Sequence, residues 1–409
     1  MPIDLTSRAS PRSGTGRWVW IVAGLGPLAG VVVWIAWARS EQLSHDSIER
    51  ALAQRQYDVA ARQAERLTRD NPRDARAWFL LGRARAGSGD AEAAIAALEQ
   101  IPDWSLRKPD AQFFSAQLLK SLHRGREAEA AFRAYLAREA RGEPAPLAAS
   151  ARLELMSLYA MEERFEAFRS MFWEVYPSLD RDDRLATLTM RMRSEFEQSA
   201  PAISLDILGK FVAADPDDPH AHAGLAAALD HAGRLDEAEA ELRKAHQLAP
   251  DDVEIRARWL ESLYRLGRTD ELEQQLRPDA ATGTGHPTIA RLIGITAQAR
   301  GDWSEAARWF EQAVRLRPDL PELHHRLSQV LARLGQSDQA AFHAAERSRL
   351  TEAREALRKA WNQFADAFES NPNSVAPELL WALSDACQAA AWPREAQAWA
   401  DLARQFSSG

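Results

Sequence analysis

Four glycines stand 34 residues apart, Gly233, Gly267, Gly301 and Gly335, and a fixed period of that length requires a chain built from repeated two-helix units. In the segment that begins at Pro287, Gly301 is followed by Trp303, Ala306, Phe310, Ala313 and Pro318. From Pro219 the same offsets give Gly233, Ala238, Leu242, Ala245 and Pro250. Each residue type has its own steric task. The glycine closes the first helix with a left-handed backbone angle that costs a residue with a Cβ about 1 kcal/mol or more. The alanine lets the second helix approach the first. Four residues on, Phe310 or Leu242 returns to the same face and fills the space between the helices, and the proline ends the second helix. The pattern predicts a binding scaffold and leaves little unrepeated chain for a catalytic domain.

This spacing resembles the tetratricopeptide repeat family. Trp78-x-x-Leu81-Gly82 supplies that family's first-helix signature, with Gly89, Ala94 and Leu98 at the expected offsets. The resemblance implies an all-α, right-handed superhelical solenoid of helix-turn-helix repeats. Read outward in phase, the units fall near 41–74, 75–108, 109–142, 149–182, 185–218, 219–252, 253–286, 287–320 and 321–354, with a partial unit from Glu378 onward. The chain is thus expected to hold N-terminal repeats over 41–182, repeats in 34-residue register over 185–354, and C-terminal helices with a capping repeat over 355–409. Thr351 to Ser370 reads as an extra helix. In the units that begin at 149 and 185 other residues replace the glycine, although Leu155, Tyr159, Phe165, Phe168 and Phe172 keep the spacing of a buried stripe.

Trp18 to Ala38 holds twenty-one residues without a charge, between Arg17 and Arg39. That length suits a hydrocarbon core of about 30 Å. Trp18 and Trp20 mark one end and Trp34 and Trp37 the other, as indoles do at membrane interfaces. Ala36-Trp37-Ala38 resembles a signal-peptide cleavage site, but the apolar core of a signal peptide runs only about 7–15 residues. The expectation is therefore a retained transmembrane helix. Arg8, Arg12 and Arg17 before the span outnumber Arg39 and Arg50 after it, which favours a cytoplasmic tail over 1–17. The repeats would then lie outside the cytoplasm, in the periplasm, on a single-pass inner membrane protein.

Composition and motifs exclude more than they assign. The net charge of -8 is spread over mixed helices with no basic stripe, which argues against nucleic acid as a partner. The single cysteine, Cys387, excludes an internal disulfide framework, a cysteine-rich zinc site and covalent haem attachment. His220 and His222, beside Asp215-Pro-Asp-Asp-Pro219, stand two apart and so point in different directions on a helix, whereas zinc helices use pairs at i and i+4. They read as an inter-repeat turn and a solvent-facing helix start, and His324-His325 reads the same way. Ala281-Thr-Gly-Thr-Gly-His286 lacks the Gly-Lys-Ser/Thr of a phosphate cradle and reads as a loop. Carboxylates in steps such as Asp236-Glu237-Ala238 and Ser304-Glu305-Ala306 read as solvated faces. No catalytic, cofactor-binding or metal-binding residue is expected.

The resemblance places binding on the concave surface, lined mainly by the second, fifth, ninth and twelfth residues of each unit. It implies Arg76, Phe79 and Arg83, then Phe113, Gln117 and Lys120, and in the C-terminal half Tyr264, Arg291, Gln298, His325 and Gln329. This lining suits other proteins as partners, through an extended peptide, a partner helix or an acidic chain end. The family's chaperone-binding clamp uses lysine and asparagine at the fifth and ninth positions of its first unit. Here the pairs are His45/Glu49, Phe79/Arg83, Arg291/Ile295 and His325/Gln329, so that clamp is not reproduced. The function expected is a membrane-anchored, noncatalytic scaffold of the bacterial envelope. The alternative is a noncatalytic regulatory subunit of an envelope enzyme or of an export or assembly complex.

Overall fold

In the computed structural model of the chain, residues 45–196, 201–371 and 375–407 are described. The tail 1–17 and the expected span Trp18 to Ala38 lie outside them. Among the described residues no helix is long and apolar enough to cross a membrane, and helices are the only extended regular structure. The chain divides into two compact units, Met1–Leu118 and Leu119–Gly409.

The first unit contains α1 (45–53), α2 (Tyr57–Asp70), α3 (Ala75–Gly87), α4 (Ala91–Glu99) and most of α5 (Lys108–Ser121). Ile48, Leu52, Ala60, Ala64, Leu80 and Leu81 form its core. Small residues set the helix spacing: a Cβ added at Gly82 would stand 2.8 Å from the Leu98 side chain.

The second unit runs through α6 (Gly125–Ala140), α7 (Ala148–Met161), α8 (Phe165–Val175) and α9 (Arg181–Phe196), then α10 (Pro201–Ala214), α11 (Pro219–His231), α12 (Leu235–Leu248), α13 (Val253–Arg265) and α14 (Thr269–Thr282). It continues with α15 (Pro287–Ala299), α16 (Trp303–Leu316), α17 (Pro321–Arg333), α18 (Ser337–Ser370), α19 (Pro377–Ala389) and α20 (Pro393–Ser407). Phe310 is fully buried, and a Cβ at Gly294 would meet its ring at 2.8 Å, the same arrangement as Gly82 with Leu98. The phased glycines take positive φ, from 69° at Gly267 to 80° at Gly301. The corresponding turns without glycine keep the left-handed backbone, at Arg55 (φ 56°), His123 (φ 59°), Glu163 (φ 54°) and Ala391 (φ 63°). The turn geometry therefore belongs to the repeat and is imposed on residues with a Cβ.

Two expectations are corrected. The extra helix expected from Thr351 to Ser370 is not separate: it is the second half of α18, a continuous helix of 34 residues. Neither glycine nor proline occurs between Ser337 and Ser370, so nothing stops the helix at the repeat boundary. His222 and His324 do not face solvent. They are buried, and their Nε2 atoms bind the carbonyl oxygens of Pro216 at 2.9 Å and Pro318 at 3.1 Å. Each histidine thus ties its helix to the preceding turn.

The second unit also closes on itself. After α18, the pair α19–α20 returns to α9 and to the connection before it: Arg191 of α9 reaches Glu395 at 3.3 Å, and the hydroxyl of Tyr176, between α8 and α9, donates to the Ala398 carbonyl at 3.5 Å. Phe196 stacks with Trp361 and Trp392, each at 6.4 Å between centroids, and Arg193 bonds Glu369 at 2.9 Å. No local sequence pattern announces this return, because the partners lie about 200 residues apart.

Candidate functional site

Register brings together the first helices of successive repeats, and in the second unit their inner faces border a cavity of about 370 Å³. Its walls include Ala227 and Asp230 of α11, Glu254, Ala257 and Glu261 of α13, and Thr288 and Arg291 of α15. These are second, fifth, ninth and twelfth positions of their units. Glu163, in the turn before α8, and Phe165, its first residue, form another wall. Phe165 is 45% exposed there, an apolar ring available to a ligand.

Most of the charges in this cavity neutralise one another. Arg265 pairs with Asp230, Arg291 with Glu261, and His286 with Glu254 at 3.0 Å. Arg258 is different. It donates one hydrogen bond, from Nη2 to the Ala223 carbonyl at 2.6 Å, and makes no ion pair among the described residues. Burial pushes its pKa down, while Glu163, Glu254 and Asp230 nearby pull in the opposite direction. Burial likewise raises the pKa of Glu163, whose carboxylate lies 3.9 Å from the His231 ring. Asp230 keeps one buried carboxylate oxygen without a hydrogen-bond partner. The cavity therefore offers both an uncommitted donor and uncommitted acceptors beside an apolar ring, the combination that a polar, partly apolar chain requires.

Neighbouring cavities of about 170, 330 and 340 Å³ continue it. The first shares Thr288 and Arg291 with the main cavity, the second shares Phe165 and Glu254, and the third joins the first through Pro321 and Arg354. Together they form an elongated inner surface between α8–α9 and the first helices of the repeats.

The residues expected to line the groove fall in both units. In the first, Arg76 is held by Glu49 at 2.9 Å, Phe79 lies 6.5 Å from Phe114 and under the Arg107 guanidinium, and Arg83 is exposed. Phe113 is buried in the packing between helices and Gln117 is half-buried, so Phe113 is corrected from groove to core. In the second unit Lys120 bonds Glu154 at 2.6 Å. Arg291 lines the cavity, and its guanidinium sits 5.9 Å from the Tyr264 ring. The Tyr264 hydroxyl accepts from Arg326 at 3.5 Å. Gln298 has a buried side-chain oxygen without a partner, His325 is half-buried and Gln329 is exposed. Only Arg291 of the eleven touches the main cavity. Glu254, Glu261 and Asp230 occupy the same register and were legible by position. Glu163 carried no such signal; Phe165, expected in a buried stripe, is instead exposed, and both reach the site through the path of the chain into α8. Among the described residues no group of three or more metal-ligating side chains converges.

Family models agree with the repeat reading in two segments. Residues 46–105 and 196–257 match family models described as tetratricopeptide repeat. No curated protein matches the chain significantly. Among solved structures, MamA from Desulfovibrio magneticus aligns with 18% identity over 43% of this chain and 97% of its own, at a TM-score of 0.33. PilF from Pseudomonas aeruginosa aligns with 16% identity over 56% and 95%, at 0.34. A monomeric IFIT1 mutant, solved with Gppp-AAAA, aligns with 14% identity over 81% and 90%, at 0.37. The two matched segments thus carry tetratricopeptide repeats, a repeat type that generally mediates contacts between proteins.

Proposed function

We propose that the chain is a noncatalytic adaptor, anchored in the inner membrane of a bacterial envelope through Trp18 to Ala38, with its repeats in the periplasm. It binds an extended peptide or helix of a partner protein along the inner surface of the second unit. The observation that carries this reading is the main cavity, whose walls include both Arg258, without an ion pair among the described residues, and the exposed ring of Phe165. A carbonyl or carboxylate of the partner would complete the hydrogen bonding of Arg258, and apolar side chains would cover Phe165. Anchoring supports the adaptor role physically, because it confines the site to a thin layer beside the membrane and raises the effective concentration of partners there.

The test places a photoreactive residue at Phe165 of the full chain in cells. The expected result is a crosslinked polypeptide whose yield falls about tenfold or more in Arg258→Gln, since truncating one partner of a buried, charged hydrogen bond weakens association by that order. Unchanged thermal unfolding of the variant would separate binding from folding. A crosslink pattern without any polypeptide, or one indifferent to Arg258, rejects the site. Alkaline extraction and reporter fusions at either end examine the anchor and its orientation separately.

A further inference from the structure

In the first unit, the connection between α4 and α5 presents two large apolar side chains to solvent: Trp104 is 74% exposed and Leu106 96%. They are the only large apolar residues of the described part of that unit so exposed. The loop that holds them is built. The amide of Ser105 donates to the Pro102 carbonyl at 3.0 Å, that of Lys108 to the Ser105 carbonyl at 3.0 Å, and Lys108 Nζ to the Ile101 carbonyl at 2.8 Å. Ile101 is buried beneath, and Lys108 also pairs with Asp103 at 3.2 Å. Two residues that would gain from leaving water are thus held out on a braced turn.

Their position along the unit gives the partner. His45, at the start of α1, bonds Asp74, which caps the start of α3, at 2.8 Å. Arg107, at the start of α5, covers Phe79 of α3, and the pKa of Glu49 in α1 is lowered by the hydrogen bond and charge of Arg76, with smaller contributions from Arg83 and Arg107. The beginnings of α1, α3 and α5 therefore share one edge, and the Trp104 loop lies on it. From Ala38 to His45 is seven residues, a reach of at most about 25 Å. The edge from which the chain leaves toward Trp18 to Ala38 is the edge that carries Trp104 and Leu106.

We infer that Trp104 and Leu106 insert into the membrane interface as a second, noncovalent contact that seats the first unit on the lipid surface. The inference rests on the membrane span proposed above. An indole is suited to the headgroup level and a leucine to the acyl boundary just below. The two cations that flank the loop are already engaged, Lys108 with Asp103 and Arg107 over Phe79, so the contact made by Trp104 and Leu106 is apolar.

The full chain carrying Leu106→Cys, labelled with an environment-sensitive thiol fluorophore and reconstituted in phosphatidylcholine nanodiscs with doxyl-labelled lipid, tests this. Cys387 is fully buried, so the label goes to the introduced site. A control label at Ser88→Cys sits in the turn between α3 and α4, at the other end of the helix pair. The expected result is at least twofold quenching at 106 and none at 88. Alkaline extraction is run in parallel. A chain that resists extraction yet shows no quenching at 106 overturns the loop contact and leaves the anchor standing; a chain that is extracted and unquenched overturns both. Crosslinking from residue 106 to a polypeptide, another copy of this chain included, overturns lipid as the partner.

Discussion

At the scale of single residues, the repeat imposes a backbone angle that only some positions meet cheaply. Ala391 holds φ 63° with an exposed side chain, whereas Gly301 meets the same demand at 80° without a Cβ. Ala391→Gly is therefore expected to stabilise the protein by up to about 1 kcal/mol, and Gly301→Ala to destabilise it by about the same amount, in urea unfolding. The acidic cluster near α7 and α8 makes a pH prediction. Arg164 is shared by Glu129 at 2.5 Å and Glu162 at 3.0 Å. Burial opposes ionisation of Glu129, but hydrogen bonds from Arg164, Arg133 and Tyr159 hold its carboxyl at about 2. Burial, against the pull of Arg164 and helped by Asp218, pushes Glu162 up to about 8. A carboxyl raised on folding contributes stability that is fully present below its unfolded pKa of about 4.5 and is lost as pH rises through about 8. Glu162→Gln should flatten that decline, with a melting temperature above that of the parent at pH 8 and near it at pH 4. Glu129→Gln should do the reverse, lowering the melting temperature at pH 7, because the stability from a depressed carboxyl is present above about 4.5 and lost as pH falls through about 2.

At the scale of elements, α18 shows how the absence of a breaker shapes the fold. Ala356 is exposed in the middle of this helix, so Ala356→Pro disrupts the backbone without removing core packing. A loss of about 3 kcal/mol or more is expected, against about 1 for Ala356→Gly, by denaturant titration. Helix pairing, turn glycines and the Gly294–Phe310 contact were legible from the sequence because they recur at fixed offsets and follow from local sterics. The buried histidines were legible in part: Pro216 to His222 and Pro318 to His324 share a six-residue offset, but two adjacent polar turns disguise it. Glu163 and Phe165 at the cavity were not, because their role depends on where α8 travels and no repeat offset encodes that.

At the scale of the second unit, closure replaces the free end of a linear array. Arg191 is 3% exposed and faces Glu395 and Glu195, with its Nε unbonded. Arg191→Met strands a buried carboxylate, and a loss of about 3–5 kcal/mol is expected, with faster amide exchange in both α9 and α20. Exchange that rises only in α9 would show that the return of α20 does not depend on this contact. The double variant with Glu395→Met should recover much of the loss, since the buried charge is then gone. Closure also bears on how such a chain can change over evolutionary time. An open array accepts the gain or loss of a 34-residue unit, because each unit touches only its neighbours. Here a deletion between α11 and α17 would shift α20 away from α9 by at least one helix-packing distance, about 10 Å. The number of units between the two sides of the closure is thus fixed by geometry, and variation must enter by substitution in place.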